Sequence, residues 1–412
     1  MMKSLSRLFC WLTILGLISL TGCAATQGPA ISTTVQAPAI ATEPTKKPVG
    51  SSGNKTDWTR AEKKPAQTES APNIGLGATP ATDLTAVSPN GFSFAIDADP
   101  HWDENTDIAI LKSTFANIKS AHPSLVFDLG DTSMAEKLAK TQAEVIKRYA
   151  DAKGYFDLLG NIPLYMVTGN HDGEFGINTG VNDMTAWARA ARLQYFPFPP
   201  DTAGFSGNVT TANYYTFTKN NAQFFILDPY TYTTEKVGQT GNGWAATLGK
   251  TQYDWLKKAL AASAADFKFV FVHNLVGGNG KDQRGGAEVV PFFEWGGQNT
   301  DGTDAFAQMR PGWDMPIHDL LVKYHVSAVF HGHDHFYAEQ EVDGIIYQMV
   351  PQPGAAGNSI NSAVEYGYRS GVLLPAPGYV RVVVESGKAT VEYVKTEVNA
   401  KISIPNVYTI QP

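Results

Sequence analysis

Cysteine is nearly absent from this sequence: Cys10 and Cys23 are the only two among 412 residues, too few for a framework of disulfide bonds. Positive charge is also sparse, because 32 Lys and Arg oppose 39 Asp and Glu, and the formal net charge is −7. Affinity for nucleic acids comes largely from neutralised phosphates, so we expect no nucleic-acid binding. A hydrophobic content of 43% excludes a wholly disordered chain and predicts an ordinary apolar core.

A long hydrophobic run is missing as well. Residues 8–20 are almost wholly apolar and follow Lys3 and Arg7, but a transmembrane helix needs about 20 apolar residues, so this stretch fits a signal peptide. The four residues that end at Cys23 resemble a bacterial lipobox. That resemblance implies a signal peptide over residues 1–22, a lipid on Cys23 that binds the membrane, and a place in the bacterial cell envelope, periplasmic or outer-membrane in a Gram-negative source. An uncleaved signal anchor, or a free cysteine after ordinary cleavage, is the alternative.

Residues 23–86 lack apolar periodicity and are rich in Ala, Thr, Pro, Gly and Ser. Such a segment cannot bury enough apolar surface to offset the entropy that it would lose on ordering. We therefore interpret it as a disordered tether, with binding to peptidoglycan or to a partner as the alternative function. Residues 87–412 have the pattern of one globular domain.

Within this domain, short β-rich runs alternate with longer helical patterns, which is typical of an α/β fold. The pattern predicts strands at residues 92–96, 125–127, 164–167, 224–227, 267–272 and 326–330. It predicts helices at residues 106–120, 135–159, 184–193, 249–263 and 316–324. Near the C-terminus it predicts a meander of strands at residues 344–350, 378–385 and 389–394.

Polar side chains follow five of the predicted strands, at the point where each strand ends. They are Asp99 and His101, Asp131, Asn170 with His171 and Asp172, His273, and His333 with His335. Ligands of open α/β sheets gather at the carboxyl ends of strands, so we expect these side chains to meet in one site. Carboxylate, amide oxygen and imidazole together suit metals such as Zn, Mn or Fe.

The ordered set of motifs closely resembles that of the calcineurin-like metallophosphoesterases, over about residues 92–337. This resemblance implies a four-layer αββα sandwich, in which two facing β-sheets are flanked by helices. It also implies that two divalent metal ions, Mn, Zn or Fe, support the hydrolysis of small-molecule phosphoesters, with a metal-bridging hydroxide as the nucleophile. Phosphatase and phosphodiesterase activity both stay open.

The same resemblance assigns roles to single residues. The first ion would be held by Asp99, His101, Asp131 and His335. The second ion would share Asp131 and add Asn170, His273 and His333. His171 would act near the leaving group, as a general acid or as a stabiliser of developing charge, and Asp172 would orient it. A Tyr-ligated iron site like that of purple acid phosphatases is not expected, because Met134 stands where that tyrosine would be.

The long Gly-rich segment 277–313 offers candidates for substrate binding. Arg284 or Arg310 could bind phosphate, and Trp295 or Trp313 could stack on a ring, although each could equally be a surface or packing residue. Some proteins with this fold have lost catalysis, so a non-catalytic binding or scaffold lipoprotein is the alternative function. The presence of every expected ligand favours the enzyme.

Overall fold

The computed structural model describes residues 83–199, 205–208, 210–237, 242–280, 282–355, 357, 359–397 and 402–412. The predicted signal peptide, the predicted lipidation site Cys23 and nearly all of the predicted tether lie outside these residues. Among the described helices, none is both long and apolar enough to cross a membrane. All described residues belong to one structural unit, which spans residues 63–412.

The described part of the chain forms fourteen strands and eight α-helices. The strands are β1 (Phe92–Asp97), β2 (Leu125–Asp128), β3 (Leu164–Met166), β4 (Ser206–Gly207), β5 (Tyr215–Lys219), β6 (Ala222–Ile226), β7 (Phe267–Val272), β8 (Ala328–His331), β9 (Tyr337–Val342), β10 (Ile345–Met349), β11 (Val372–Leu374), β12 (Gly378–Glu385), β13 (Lys388–Lys395) and β14 (Ser403–Ile410). The helices are α1 (Ile108–Ser120), α2 (Ala135–Leu138), α3 (Gln142–Phe156), α4 (Met184–Tyr195), α5 (Gly249–Ala261), α6 (Phe293–Gly296), α7 (Phe306–Met309) and α8 (Ile317–Lys323). Single 3₁₀ turns lie at Asp157–Leu159, Gly243–Ala245 and Ala287–Val289.

The strands form two mixed sheets. The first has the order β14-β13-β12-β1-β2-β3, and the second has the order β11-β9-β10-β8-β7-β6-β5-β4. Strands β1, β2 and β3 run parallel, as do β6, β7 and β8. The carboxyl ends of parallel strands meet at one edge of their sheet, so the polar segments after β1, β2 and β3 lie together.

Aromatic rings fill the space between the two sheets. Phe127 of the first sheet stacks on Phe271 of the second with 4.1 Å between ring centroids, and Phe94 packs edge-on against Phe127. All three rings are completely buried. Rings of this size bury much apolar area and pack well in offset or edge-to-face pairs, so they hold the sheets face to face.

Helices cover the outer face of each sheet. Phe115 of α1 and Tyr149 of α3 pack with the first sheet, while Leu256 of α5 and Leu320 of α8 pack with the second. The result is four layers, helix, sheet, sheet and helix, and the predicted αββα sandwich is confirmed.

The predicted helix over residues 135–159 is wrong as a single element. It breaks into α2, α3 and a 3₁₀ turn, because Thr141 starts a new helix with a capping box. Its side chain accepts a hydrogen bond from the Glu144 amide, and the Glu144 carboxylate accepts one from the Thr141 amide. Strands β4, β5, β9, β11 and β14, which the sequence pattern did not predict, complete the two sheets.

A buried ion pair fastens the start of the described chain to the first sheet. Nη1 of Arg381 on β12 lies 2.6 Å from Oε2 of Glu392 on β13, and both side chains are buried. Glu392 accepts a hydrogen bond from the amide of Thr85, and Arg381 donates one to the carbonyl of Thr85. The ion pair therefore provides hydrogen-bond partners for the backbone of Thr85, which lies outside the strands.

Glu392→Ala should lower the free energy of unfolding by about 3–5 kcal/mol, because it leaves the Arg381 guanidinium buried without a counter-charge. Urea denaturation followed by circular dichroism measures the loss. The double variant Arg381→Met with Glu392→Leu should recover most of the stability. Lys147→Ala, which breaks an exposed pair with Asp151, is the control and should change stability little. An equal loss in Glu392→Ala and Lys147→Ala would contradict the expected role of the buried pair.

Candidate metal centre

Five of the predicted ligands have an unusual backbone conformation. Asp99, His101, Asp131, His333 and His335 have positive φ angles, between 44° and 79°. Residues other than glycine rarely adopt this left-handed region, and each costs of order 1–3 kcal/mol. Strain of this kind concentrates at functional sites, where the backbone must aim side chains at one point.

The first cluster of side chains consists of Asp99, His101 and His335, each of which offers a ligand atom within 4.8 Å of the others. From Oδ1 of Asp99, Nε2 of His335 lies 3.5 Å away and Nε2 of His101 lies 3.7 Å away. These separations are too long for hydrogen bonds. They do leave room for an ion at about 2.0–2.2 Å from each atom.

The second cluster consists of Asp131, His273 and His333, whose ligand atoms also lie within 4.8 Å of one another. Nε2 of His273 lies 3.3 Å from Oδ2 of Asp131 and 3.2 Å from Nδ1 of His333. The amide oxygen of Asn170 lies 3.1 Å from the same Nε2. One carboxylate, one amide oxygen and two imidazoles thus surround a second space.

Asp131 lies between the two clusters. Its Oδ2 is 3.7 Å from Nε2 of His101 in the first cluster and 3.3 Å from Nε2 of His273 in the second. Its Oδ1 accepts a hydrogen bond of 2.7 Å from the amide of His171. A carboxylate in this position could contact both ions.

The buried atoms of these clusters fit metal ions. Oδ1 of Asp99 and Nε2 of His101 have no hydrogen-bond partner among the described residues. A buried polar atom without a partner costs about 1–3 kcal/mol, and an ion between the two atoms would remove that cost. Burial would lower the pKa of His101, yet the carboxylates of Asp131 and Asp99 raise it to about 9. The carboxylates therefore create a field that favours positive charge at this point.

Two of the imidazole rings, those of His273 and His333, contact backbone carbonyl oxygens through one ring nitrogen each. Nδ1 of His273 lies 2.8 Å from the carbonyl oxygen of Leu129, and Nε2 of His333 lies 2.6 Å from that of Asp282. Each contact fixes the ring orientation and leaves the other nitrogen free to face an ion.

The loop after β3 approaches the loop after β2 so closely that only glycine fits at position 169. A Cβ added to Gly169 would lie 2.0 Å from the amide nitrogen and 2.4 Å from Oδ1 of Asp131. Any larger residue would displace the carboxylate that lies between the clusters. Glycine at position 169 is therefore required by the close approach of the two loops.

Asp172 acts on the backbone instead of on His171. Its carboxylate accepts hydrogen bonds of 2.9 Å from the amides of Asp131 and Gly169, and further bonds from the amides of Thr132 and Ser133. These bonds lock the turn that carries Asp131. The predicted contact in which Asp172 orients His171 is therefore wrong.

Glu136 occupies the place that was predicted for Asp172. Its Oε2 lies 2.7 Å from Nδ1 of His171, and its backbone amide donates a hydrogen bond of 3.1 Å to the carbonyl of His171. The sequence analysis missed this residue, because Glu136 looks like an ordinary acidic residue in the first turn of a helix. No local signal connects it to a histidine 35 positions away.

The two candidate arginines lie in different places. Arg284 lines a cavity of about 260 Å³ together with Asn170, His171 and His333. Arg310 lines a separate cavity, of about 430 Å³, whose lining contains none of the predicted ligands. Nε of Arg310 donates to Glu294, and its Nη atoms donate to three backbone carbonyls. The prediction that Arg310 binds substrate phosphate at this centre is therefore wrong.

The two candidate tryptophans are packing residues in this structure. Trp295 is completely buried, and its Nε1 donates a hydrogen bond of 3.0 Å to the Tyr347 hydroxyl. Trp313 packs on Tyr253 with 4.1 Å between ring centroids and lines the cavity that contains Arg310.

Comparison with known proteins identifies the family. The family model for calcineurin-like phosphoesterases matches residues 92–337, which is more than half of the chain. The chain belongs to this family. The resemblance seen in the sequence is confirmed, and with it the prediction of a hydrolase that acts on phosphoester bonds. Calcineurin-like phosphoesterases use dinuclear metal centres, and this chain carries two groups of Asp and His side chains that could hold ions.

Solved structures are similar to this chain at low sequence identity. The structure of PhoD is 16% identical, with a TM-score of 0.54, and the match covers 79% of this chain and 70% of that one. Purple acid phosphatase PPD1 from yellow lupin is 15% identical, with a TM-score of 0.49, and the match covers 78% of this chain and 54% of that one. A dimetal phosphatase from Danio rerio is 12% identical, with a TM-score of 0.46 and coverage of 78% and 98%. A comparison with curated protein sequences gave no significant match.

Asp131→Ala should reduce the occupancy of both metal ions together, because its carboxylate lies within reach of both clusters. Elemental analysis of the dialysed protein measures the metal content, and circular dichroism checks the fold. Asn170→Ala is the matched variant, and it should affect the second ion far more than the first. Full retention of either ion by Asp131→Ala would rule out a shared carboxylate.

If His171 has its predicted role near the leaving group, Glu136→Gln should lower kcat by about 10- to 100-fold, which is the effect usual for a group that orients an active-site residue. The loss should be larger for an alkyl phosphate than for 4-nitrophenyl phosphate, because only the poor leaving group needs a proton. Metal content should stay normal. Glu341→Gln alters an exposed carboxylate and is the control. The same loss on both esters would point to a merely structural role for Glu136.

Proposed function

We propose that this protein hydrolyses phosphate esters of small molecules at two metal ions held by the clusters described above. The observation that carries the proposal is the position of Asp131 between the clusters, with His171 beside it in an open cavity. When bound, the two ions supply the charge that holds the phosphoryl oxygens and lowers the pKa of the attacking water.

The contacts of His171 support a role at the leaving group. Its Nδ1 faces Glu136, so Nε2 is the nitrogen that remains for the substrate. The Glu136 carboxylate holds the ring through Nδ1, which leaves Nε2 as the nitrogen that can exchange a proton with the leaving oxygen. The side chain of His171 is 20% exposed, which is enough for contact with a ligand in the cavity.

The contacts of Arg284 support a role in binding the phosphoryl group. Its Nη1 donates to the carbonyl of His333 and lies 3.2 Å from Oδ1 of Asp334. Its guanidinium stacks on Tyr366 at 4.6 Å from the ring centroid. Nε and Nη2 have no protein partner among the contacts of the described residues, so they can donate to phosphate oxygens in the cavity.

The cavity favours a compact substrate. Its volume is about 260 Å³, and pockets for drug-sized ligands usually have about 300–1,000 Å³. Small phosphoesters fit this space better than long polymers do. The lipid on Cys23 and the place in the cell envelope stay predictions of the sequence.

The decisive assay uses the metal-free protein and the protein restored with Mn²⁺ or Zn²⁺. We expect metal-dependent hydrolysis of an aryl phosphate monoester, a bis-aryl phosphodiester or both. His171→Ala should retain its metal content but lose about 10²–10⁴ in kcat on an alkyl phosphate, because it removes the proton donor. The loss on 4-nitrophenyl phosphate should be smaller.

His122→Asn is the matched control, because His122 is exposed and asparagine tolerates its positive φ of 48°. Wild-type turnover of the alkyl phosphate by His171→Ala would remove His171 from the proposal. If two ions are bound and a panel of phosphoesters shows no turnover, the non-catalytic scaffold is the function instead.

A further inference from the structure

In the proposed function, the leaving group lies on the side of the cavity that is lined by His171. The short helix α2 lies on this side, and Glu136 connects it to His171 twice, through its side chain at 2.7 Å and through its backbone amide at 3.1 Å. The helix is therefore fixed relative to the proposed proton donor. Any further side chain of α2 that reaches the cavity has a defined place beside the leaving group.

Lys137 is that further side chain. It lines the same cavity as His171 and Arg284, and it is exposed to solvent. Among the contacts of the described residues, its ammonium group has no ion pair or hydrogen bond. By contrast, Lys147 and Lys153 on α3 bind Asp151 and Asp157. The charge of Lys137 is thus free for a ligand.

The charged side chains that line the cavity are Arg284, Lys137, Glu136 and Asp282. Arg284 lies next to His333, where the phosphoryl group would be held. The Glu136 carboxylate is bound to His171, and among the contacts of the described residues neither Glu136 nor Asp282 forms an ion pair with Lys137. A leaving group would consequently meet an unpaired positive charge.

We propose that Lys137 forms a subsite for a second anionic group, such as a carboxylate, on the leaving group. The preferred substrate is then a compact phosphate monoester whose alcohol part carries its own negative charge. This inference rests on the proposed function, since it takes His171 as the marker of the leaving-group side. The volume of about 260 Å³ favours a leaving group of about one ring.

The test compares two esters of nearly equal size, 4-carboxyphenyl phosphate and 4-carbamoylphenyl phosphate, which differ in one negative charge. The full-length, metal-loaded protein should show a kcat/KM about fivefold higher for the carboxylate, chiefly through KM, which is the size expected of one partly exposed charge pair. This ratio should fall as ionic strength rises. In Lys137→Met it should fall to about one.

Lys140→Met removes an exposed lysine that does not line the cavity, and it should keep the wild-type ratio. Turnover of both esters without a preference for the carboxylate would overturn the subsite and leave the phosphoesterase intact. A preference that persists in Lys137→Met would overturn it too. Absence of turnover of both esters by the metal-loaded wild type would count against the proposed function, and the subsite would fail with it.

Discussion

The structure depends on one electrostatic constraint, the burial of the Asp99 and Asp131 carboxylates at the point where the two sheets meet. Burial alone would raise the pKa of Asp131, but His273, His171 and His101 together hold it well below its ordinary value. Like charges this close persist in a dry site only when positive charge lies between them. The imidazoles supply part of that charge, and Oδ1 of Asp99 still has no hydrogen-bond partner among the described residues. A pair of cations would complete the balance, and the positive φ angles of the ligands would then be the cost of directing all groups at them.

The same constraint explains the importance of the Asp172 carboxylate for the site, although this group contacts none of the atoms that could bind a metal ion. Asp172 is buried, and burial together with the nearby Asp131 raises its pKa. Four backbone amides from two loops nevertheless converge on it, which joins the turn after β2 to the turn after β3. These four bonds add to the hydrogen bond that the His171 amide donates to Asp131, which joins the same two loops. The position of Asp131 between the clusters is therefore set by backbone hydrogen bonds more than by the packing of its own side chain.

Much of this architecture could be predicted from the sequence, because the signals are local. Buried strands such as 267–272 are nearly continuous apolar runs, interrupted there by Lys268, and the polar residues that follow them mark the edge where ligands gather. The sequence also contains the signal for the break between α2 and α3, because Thr141 and Glu144 have the spacing of a capping box, although the predicted helix ran through it. Glu136 could not be predicted, because its role depends on a contact with His171 that only the folded chain creates. Strand β14 was missed because its register on β13 is set by tertiary pairing.

The two arginines show what decides whether a charged residue can serve a site. Both lie in one long loop region and both have an acidic partner. Arg310 donates hydrogen bonds to Glu294 and to three backbone carbonyls. Its guanidinium also lies 5.4 Å from the Trp244 ring centroid, so these contacts stabilise the loop. Asp334 and a carbonyl engage only Nη1 of Arg284, which leaves the remaining edge of the guanidinium toward the cavity. An arginine can bind phosphate only if some of its N–H donors have no acceptor within the protein. The number of such donors depends on the folded surroundings of the side chain.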